Sequence, residues 1–218
     1  MNQKIYHTLR ERIIFLGYHP GQLLKEQDLA EAFGVSRTPL RTVLFRLEWE
    51  HLIRILPRTG IQVSELELNT ITHLFQARLE LESVIGIMAA ERFNQDHFAR
   101  LAKLTDQCRH LTDHLDPEKL ARLDMDLKHL FHDAAGNPFL TEISDRFYVL
   151  TFRLWYFNLM KMDVTGWQKE TQCLASDLQA LTRLLTAETP EAVGKARKTQ
   201  LLEHVERIRN TFLGLSGA

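Results

Sequence analysis

The sequence predicts a mainly α-helical chain in two parts, with one short β-hairpin between a compact N-terminal part and a longer helical part. Two short amphipathic patterns joined by a tight turn occupy residues 26–45. Residues 52–63 have the pattern of strand, turn and strand. After residue 66 the apolar residues keep helical spacing to the C-terminus. The boundary at residues 66–69 is short and not rich in Gly or Ser, so we expect the two parts to be coupled.

Composition narrows the class of protein. The chain has 218 residues, of which 44% are hydrophobic, so it can bury an ample core and disorder is not expected. No apolar run approaches the roughly 20 residues that cross a membrane, and the N-terminus lacks the apolar segment of a secretory signal. Cys108 and Cys173 fit no metal or redox spacing, so we expect two inert thiols in a cytoplasmic protein.

Basic charge is concentrated in the N-terminal part. The whole chain has a formal net charge of −1, which argues against non-specific binding of polyanions. Residues 1–66 carry nine Lys and Arg against seven Asp and Glu, and residues 36–60 carry five arginines and only two acids. Such local basic charge is typical of a module that reads bases.

The N-terminal part begins with an amphipathic pattern over residues 2–16, which predicts a helix that packs on the two short helices. The first short helix opens at Asp28 and ends at Gly34, because glycine readily takes the left-handed conformation of a helix C-terminus. Ser36 is a good N-cap for the second. Pro39 falls in its first turn, where a missing N–H costs little.

Arg37 and Arg41 make the second short helix a candidate recognition element. They are four residues apart and therefore share the face opposite the apolar stripe. A helix that buries one side and carries arginines near its N-terminus suits the major groove of DNA. An ordinary helical hairpin with solvated arginines has the same spacing, so this pattern alone leaves both interpretations open.

The strand, turn and strand at residues 52–63 favour the DNA-binding interpretation. A two-stranded wing directly after the second helix makes a winged helix–turn–helix. Arg58, Thr59 and Gly60 would lie at the tip of the wing, where a small turn can approach the DNA backbone or the minor groove.

The N-terminal part resembles the DNA-binding domain of GntR-type transcriptional regulators. The resemblance covers residues 2–66 and rests on the segments PGQLL, DLAEAFGVSRTPLR, RLE and PRTGIQV. It implies a double-stranded DNA operator as partner. The implied DNA contacts fall on the recognition helix and the wing, at Ser36, Arg37, Thr38, Arg41, Thr59 and Gly60.

Two positions depart from that family pattern. Gln27 stands where some members have a basic residue, so this contact is expected to be weaker or absent. His51 stands where the family usually has glycine. Histidine tolerates positive φ better than most residues, so we expect the turn to survive.

The second part predicts an all-α bundle of six helices. Gly, Asn and Pro separate the patterns, residues 164–166 form a break, and Thr189 caps the last helix with Pro190 at its first position. The expected helices cover residues 68–93, 95–114, 117–136, 138–160, 167–187 and 190–213.

This second part resembles the FCD ligand-binding domain of the FadR branch of GntR-type regulators. The supporting residues are Arg78–Glu82 with Ala89–Ala90, the segment from Asp124 to Pro138, and Leu201–His204. Six helices that start directly after the wing look more like the VanR-type subgroup. The resemblance implies a homodimer and a small effector, often a carboxylate. It divides the chain into a DNA-binding domain of residues 1–66 and an FCD-like effector-binding and dimerisation domain of residues 67–218.

The resemblance also implies a metal pattern that this chain does not complete. The family's aspartate falls on Asp124 and its last histidine on His204, but its other two histidines fall on Lys128 and Asp177. We therefore expect a metal-free pocket. A shifted metal site is the alternative, drawn from Asp124, His132, Asp177 and His204, whereas His204 taken alone is more often a satisfied core histidine.

An organic anion is the expected effector. Lys128 would take the place of the missing cation, held by Asp124 and Asp177, unless it reaches solvent instead. Arg78 could contribute, although Glu82 at i+4 makes an internal ion pair an alternative. Arg153 lies in an aromatic run that could line a cavity, or be plain core or dimer interface. The expected effector-binding residues are Arg78, Asp124, Lys128, Arg153, Asp177 and His204.

Catalytic motifs are not found in the sequence, so we expect no enzyme. The prediction is a ligand-responsive transcriptional regulator, with repression as the expected mode, that binds a pseudo-palindromic operator as a homodimer. A ligand sensor without operator specificity is one rival. The other is a helical metal-binding or hydrolytic protein that uses Asp124, His129, His132 and His204.

Overall fold

The computed structural model describes residues 2–212. The chain divides into two compact units. The first comprises Met1–Thr72 and Tyr148–Leu154, and the second comprises His73–Phe147 and Trp155–Ala218. The described residues are mainly helical with one small sheet, which confirms the predicted fold class. None of the helices described is both long enough and apolar enough to span a membrane.

The first unit contains three helices and a three-stranded sheet. The strand order is β1-β3-β2, and both pairings are antiparallel. The predicted hairpin is present, whereas β1 is an addition, since a two-residue strand is too short to show an alternating pattern. The elements are α1 (Asn2–Ile14), β1 (Leu23–Leu24), α2 (Glu26–Phe33), α3 (Arg37–Trp49), β2 (Ile53–Leu56) and β3 (Gly60–Val63).

Local signals placed the helix ends of this unit well. Gly34 ends α2 in the left-handed conformation with a φ of 62°, as predicted. His51 adopts a φ of 60°, so the turn survives the loss of glycine. Ser36 stands at the N-cap of α3. The prediction that α2 opens at Asp28 was two residues late, because the helix begins at Glu26.

A buried polar network ties α1 to the end of α3 inside this unit. The Tyr6 hydroxyl donates to Glu50 Oε1 at 2.5 Å, and Arg10 Nε donates to Glu50 Oε2 at 2.9 Å. The Arg46 guanidinium lies 3.7 Å from the centre of the Tyr6 ring. Burial and the bond to Glu50 raise the pKa of Tyr6 to about 12, so its hydroxyl stays a donor at neutral pH.

The six expected helices follow the sheet. Their bounds differ from prediction by up to three residues. The first two end three residues before the predicted ends, and the fifth begins at Val164 and not at residue 167. Asp163 explains the difference, because its Oδ1 accepts from Gly166 N at 2.7 Å and so caps a first turn that contains glycine. The helices are α4 (Leu68–Ala90), α5 (Gln95–Leu111), α6 (Pro117–Ala135), α7 (Pro138–Leu159), α8 (Val164–Ala187) and α9 (Pro190–Phe212).

Two glycines let α4 and α9 approach each other closely. A Cβ atom on Gly194 would lie 2.5 Å from Ile87 Cγ1 and 2.6 Å from the Ser83 carbonyl oxygen, and one on Gly86 would lie 3.0 Å from Gly194 Cα. A larger residue at Gly194 would therefore push the helices apart. The crossing brings Glu82 of α4 and Arg197 of α9 into contact.

Candidate DNA-binding surface and buried charge cluster

The N-terminal end of α3 carries an exposed polar surface. Ser36, Arg37, Thr38 and Arg41 are all exposed there. The opposite face of α3 is buried through Leu40, Val43, Leu44 and Leu47, as the apolar stripe predicted. The arrangement leaves the polar end of the helix accessible to a groove of nucleic acid.

The wing tip is shaped by its backbone. Arg58 has a φ of 65° and Gly60 a φ of 132°, while Thr59 N donates to the Leu56 carbonyl at 3.1 Å. A Cβ atom at Gly60 would lie 2.6 Å from the Leu24 carbonyl oxygen, so only glycine fits where β1 meets β3. Arg58 and Thr59 remain exposed on this tight turn.

Arg41 has a partner that no motif singled out. Its Nε donates to Glu26 Oε1 at 2.8 Å and its Nη2 donates to Glu26 Oε2 at 3.2 Å. The hydrogen bonds and the charge of Glu26 raise the pKa of Arg41, which is exposed. The acidic first turn of α2 was visible in the sequence, but its alignment with α3 depends on the turn between the helices.

The second unit contains a buried charge cluster, which we define as Arg78, Glu82, Lys128, His132, Asp145 and Arg197. At its centre, Arg197 Nη2 donates to Glu82 Oε2 at 2.6 Å. Arg78 Nη2 lies 3.7 Å from Glu82 Oε1, so the i+4 ion pair that was the alternative for Arg78 is present. Glu82 is 2% exposed. Burial opposes its ionisation, but Arg197 and Arg78 outweigh that effect and hold the pKa of Glu82 below its ordinary value.

Lys128 lies inside this cluster. It is 4% exposed, so the alternative in which it reaches solvent is wrong. Its ammonium forms an ion pair with Asp145 of α7, a carboxylate that sequence motifs did not indicate. Burial lowers the pKa of Lys128, while the charge of Asp145 opposes that shift.

His132 adds a neutral polar group to the cluster. Its Nε2 lies 3.1 Å from Ser144 Oγ, and its Nδ1 finds no hydrogen-bond partner among the described residues. Burial and the charge of Lys128 lower the pKa of His132 to about 4, so the ring is uncharged at neutral pH. The cluster thus combines buried cations with a buried imidazole nitrogen that could meet a ligand.

His204 lies in a second polar group of the same unit, around Glu170. Glu170 Oε1 accepts from Trp155 Nε1 at 3.0 Å and Oε2 accepts from Arg207 Nε at 2.8 Å. His204 Nδ1 lies 3.4 Å from Glu170 Oε1. This network matches the expectation of a satisfied core histidine. Burial by itself would raise the pKa of Glu170. His204 and Arg207 outweigh that effect and lower this pKa to about 2.

Asp177 is half-buried between the two groups. Burial raises its pKa, and the nearby charges of Arg207, Arg197 and His204 oppose the shift only in part. Gln200 Nε2 donates to the Asp177 carbonyl oxygen at 3.1 Å. Arg197 therefore pairs with Glu82 of the buried charge cluster, and its charge also reaches Asp177.

The metal site considered as an alternative does not assemble. Among the side chains described in residues 2–212, no three His, Cys, Asp or Glu come together as metal ligands. His132 faces Ser144, and His204 faces Glu170, so helices α6 and α9 direct them to different partners. Both histidines also belong to the ligand set of the metal-binding or hydrolytic rival, which comprises Asp124, His129, His132 and His204.

Arg153 belongs to the first unit and has a structural partner there. It is 1% exposed, and its Nη2 donates to the Ser64 carbonyl oxygen at 2.7 Å. Burial lowers its pKa to about 10. Aromatic neighbours in the sequence suggested a ligand cavity, but the contact of this guanidinium is with the main chain that follows β3.

The exposed cationic end of α3, the hairpin beside it and the helical second unit define a winged helix–turn–helix regulator with an attached helical domain. The model of bacterial regulatory proteins of the gntR family matches residues 1–63, and the FCD domain model matches residues 73–207. The chain therefore belongs to the GntR family of transcriptional regulators and carries an FCD domain.

Individual relatives agree with this assignment. The chain is 27% identical over 146 residues to the HTH-type transcriptional repressor RspR of Escherichia coli, an alignment that covers 66% of this chain and 60% of the relative. It is 23% identical over 141 residues to the uncharacterised HTH-type regulator YdhC of Bacillus subtilis, which covers 64% and 63%. The chain thus spans about three fifths of the length of these curated relatives.

Solved structures share the fold across the chain. E. coli McbR/YncC superposes with a TM-score of 0.83 at 18% identity, covering 97% of this chain and 98% of that one. A GntR-type regulator from Rhodococcus superposes with a TM-score of 0.76 at 19% identity, covering 96% and 97%. At these identities the likeness establishes the fold alone.

Proposed function

We propose that this protein is a ligand-responsive repressor that binds a pseudo-palindromic operator as a homodimer in the cytoplasm. Residues 1–66 would bind DNA, and residues 67–218 would bind the effector and form the dimer. The observation that carries the proposal is the exposed cationic end of α3 beside a glycine-dependent wing, in a chain of the GntR family. The six helices after the wing support a place in the VanR-like subgroup.

On this proposal α3 enters the major groove and the wing meets the backbone or the minor groove. Arg37 and Arg41 are the candidates for bidentate contacts to guanine, since arginine matches the O6 and N7 acceptors. The full set of proposed DNA contacts is Ser36, Arg37, Thr38, Arg41, Arg58, Thr59 and Gly60.

A homodimer is proposed because one such module offers few phosphate contacts and a modest interface. Two modules related by a two-fold axis would read two half-sites about one helical turn apart. The helical domain would supply the symmetric contact.

Selection of operator DNA from genomic fragments tests the DNA-binding proposal. We expect enrichment of an inverted repeat whose binding weakens steeply with salt. Sedimentation of the free protein and of the complex should give a dimer in both. A monomer on DNA would reject the dimer, and binding without sequence preference would favour a sensor that has lost operator specificity.

The effector is proposed to be a small organic anion, most simply a carboxylate. The buried charge cluster supports this, because it holds three cationic side chains against two carboxylates, and an anion would balance the remaining positive charge. The neutral His132 adds a polar group that could meet the anion. Asp124, Asp177 and His204 would border the site. No metal is required in this proposal, because the ammonium of Lys128 would supply the positive charge that the anion needs.

A thermal-shift panel tests the effector proposal. Small carboxylates are compared with their neutral amides on the wild type, on Lys128→Met and on the control Lys198→Met, whose lysine is 42% exposed. We expect carboxylates to raise the Tm of the wild type and of the control only. An equal rise in Lys128→Met would show that this ammonium does not select the anion.

A further inference from the structure

The ion pair between Glu26 and Arg41 places a carboxylate on the proposed DNA-binding surface. DNA repels carboxylates, so an acid beside a DNA-contacting arginine weakens the electrostatic part of binding. Glu26 is nevertheless held against Arg41 by two hydrogen bonds, of 2.8 Å and 3.2 Å. The Glu26 side chain is 25% exposed and that of Arg41 is 58% exposed, so the pair lies at the surface.

The two hydrogen bonds to Glu26 use two of the N–H donors of Arg41 and leave a defined set of the others. A guanidinium has five N–H groups in one plane. Glu26 takes Nε–H and one N–H of Nη2, which form the side edge of the guanidinium. The end edge keeps one N–H on Nη1 and one on Nη2, parallel and pointing away from the side chain. That free edge has the two-donor geometry that guanine O6 and N7 accept.

The pair also reduces the freedom of the arginine. A long exposed arginine samples many rotamers, and ordering it on binding costs free energy. Two hydrogen bonds from α2 fix both the direction and the plane of the Arg41 guanidinium before DNA arrives. An arginine oriented in this way can favour one base pair, whereas a mobile one can turn to a phosphate.

We propose that Glu26 is a positioning residue that orients Arg41 for a guanine, and that it raises sequence discrimination at the expense of general affinity for DNA. This inference rests on the proposed DNA-binding function. Glu26 itself makes no contact with a base. It acts through Arg41 alone, so its effect is confined to the base pair that Arg41 reads.

The test is selection on double-stranded DNA with a randomised core, using the full-length chain. Wild type is compared with Glu26→Gln, Arg41→Ala and the double variant. Asp28→Asn is the matched control, because it removes one negative charge from the same first turn of α2. Melting curves of all the variants establish that each is folded.

Arg41→Ala identifies the base pair at which a guanine preference is lost. We expect Glu26→Gln to lower the preference at that same base pair by about fivefold or more, since a bidentate contact discriminates by about that factor. Its affinity for random DNA should be equal to or above that of the wild type. Asp28→Asn should keep the preference, and Glu26→Gln should have no further effect in the Arg41→Ala background.

Three outcomes would overturn the inference. The first is a Glu26→Gln protein that retains the guanine preference in full. The second is a loss of affinity that is equal for all sequences, because that would indicate a general effect on the fold of α2. The third is a wild type that binds DNA without any sequence preference, which would also remove the proposed operator function. The first two leave that function intact.

Discussion

The two units of this protein use charged side chains in opposite ways. In the first unit, the Arg41 side chain is 58% exposed and its pair with Glu26 lies at the surface. In the second, Glu82 is 3% exposed in its side chain and its partner Arg197 is 13% exposed. The exposed pair is in water, where it contributes little to stability and can rearrange. The buried pair is costly to break, because removing one partner would leave the other charge buried without compensation.

The exposed pair lies on the surface that we propose to contact DNA. The buried pair lies in an interior where each charge needs an opposite charge beside it. We expect that the exposed arginines of α3 can be removed with little loss of stability but with a loss of the proposed DNA binding. The buried charge cluster should behave in the reverse way, except where a ligand completes it. Four predictions test this contrast.

The largest effect is expected for Glu82→Ala. The change leaves Arg197 and Arg78 buried without their shared carboxylate, so the free energy of unfolding should fall by about 3–5 kcal/mol. Urea denaturation monitored by circular dichroism measures it. Glu80→Ala is the matched control, since Glu80 is 72% exposed in its pair with Lys198 and should cost less than about 1 kcal/mol. Equal losses in the two variants would remove the contrast.

Acid should destabilise the second unit through Glu170. Its pKa is about 2 in the folded protein against an ordinary 4.5, because His204 and Arg207 outweigh its burial. The stabilisation is therefore complete above about pH 4.5 and is lost as the pH falls towards 2, a total on the order of 3 kcal/mol. The difference in unfolding free energy between wild type and Glu170→Gln, measured against pH, should shrink over this window. A constant difference would contradict the prediction.

Arg37→Ala and Arg41→Ala should each weaken operator binding by about 1–3 kcal/mol, if each makes a bidentate base contact. Their melting temperatures should stay near that of the wild type, because both residues are exposed. Arg46→Ala is the comparison within α3. Arg46 packs over the Tyr6 ring at 3.7 Å, so its loss should affect stability more than base choice. Unchanged operator affinity in both of the first two variants would reject this placement of α3.

The smallest effect on stability is expected at Ser36. It is the N-cap of α3, but within the described residues its side chain makes no capping hydrogen bond. Ser36→Ala should therefore change the unfolding free energy by less than about 0.5 kcal/mol while weakening DNA binding. Asn94→Ala in the second unit is the control, because Asn94 Oδ1 accepts from His97 N at 3.0 Å and its loss should cost about 1 kcal/mol. A loss at Ser36 as large as at Asn94 would show a structural role instead.

The sequence predicted the elements of the fold from signals that act within a few residues. Gly34 ends α2, His51 takes a positive φ, and Thr189 with Pro190 starts α9, because these residues set the backbone locally. The start of α8 was predicted three residues too late because another local signal, the N-cap at Asp163, was not recognised. The residue assignments for DNA and effector, and the domain boundary at residue 66, stay predictions.

The sequence did not predict which oppositely charged residues form ion pairs, because the partners come from distant segments of the chain. Lys128 was expected to be held by Asp124 and Asp177, and the structure shows an ion pair with Asp145 on the next helix, a carboxylate that the sequence did not indicate. The faces of single helices follow from residue spacing. Which carboxylate meets which cation depends on how two helices cross.

By itself the sequence determined the class of fold and the arginine-bearing face of α3. Those features depend on residue type and short-range spacing. Only the tertiary structure decided that Arg41 is held by Glu26, 15 residues away, and that Arg197 reaches Glu82 across 115 residues. The second contact exists because Gly86 and Gly194 let α4 and α9 approach within contact distance, and no local pattern encodes that approach.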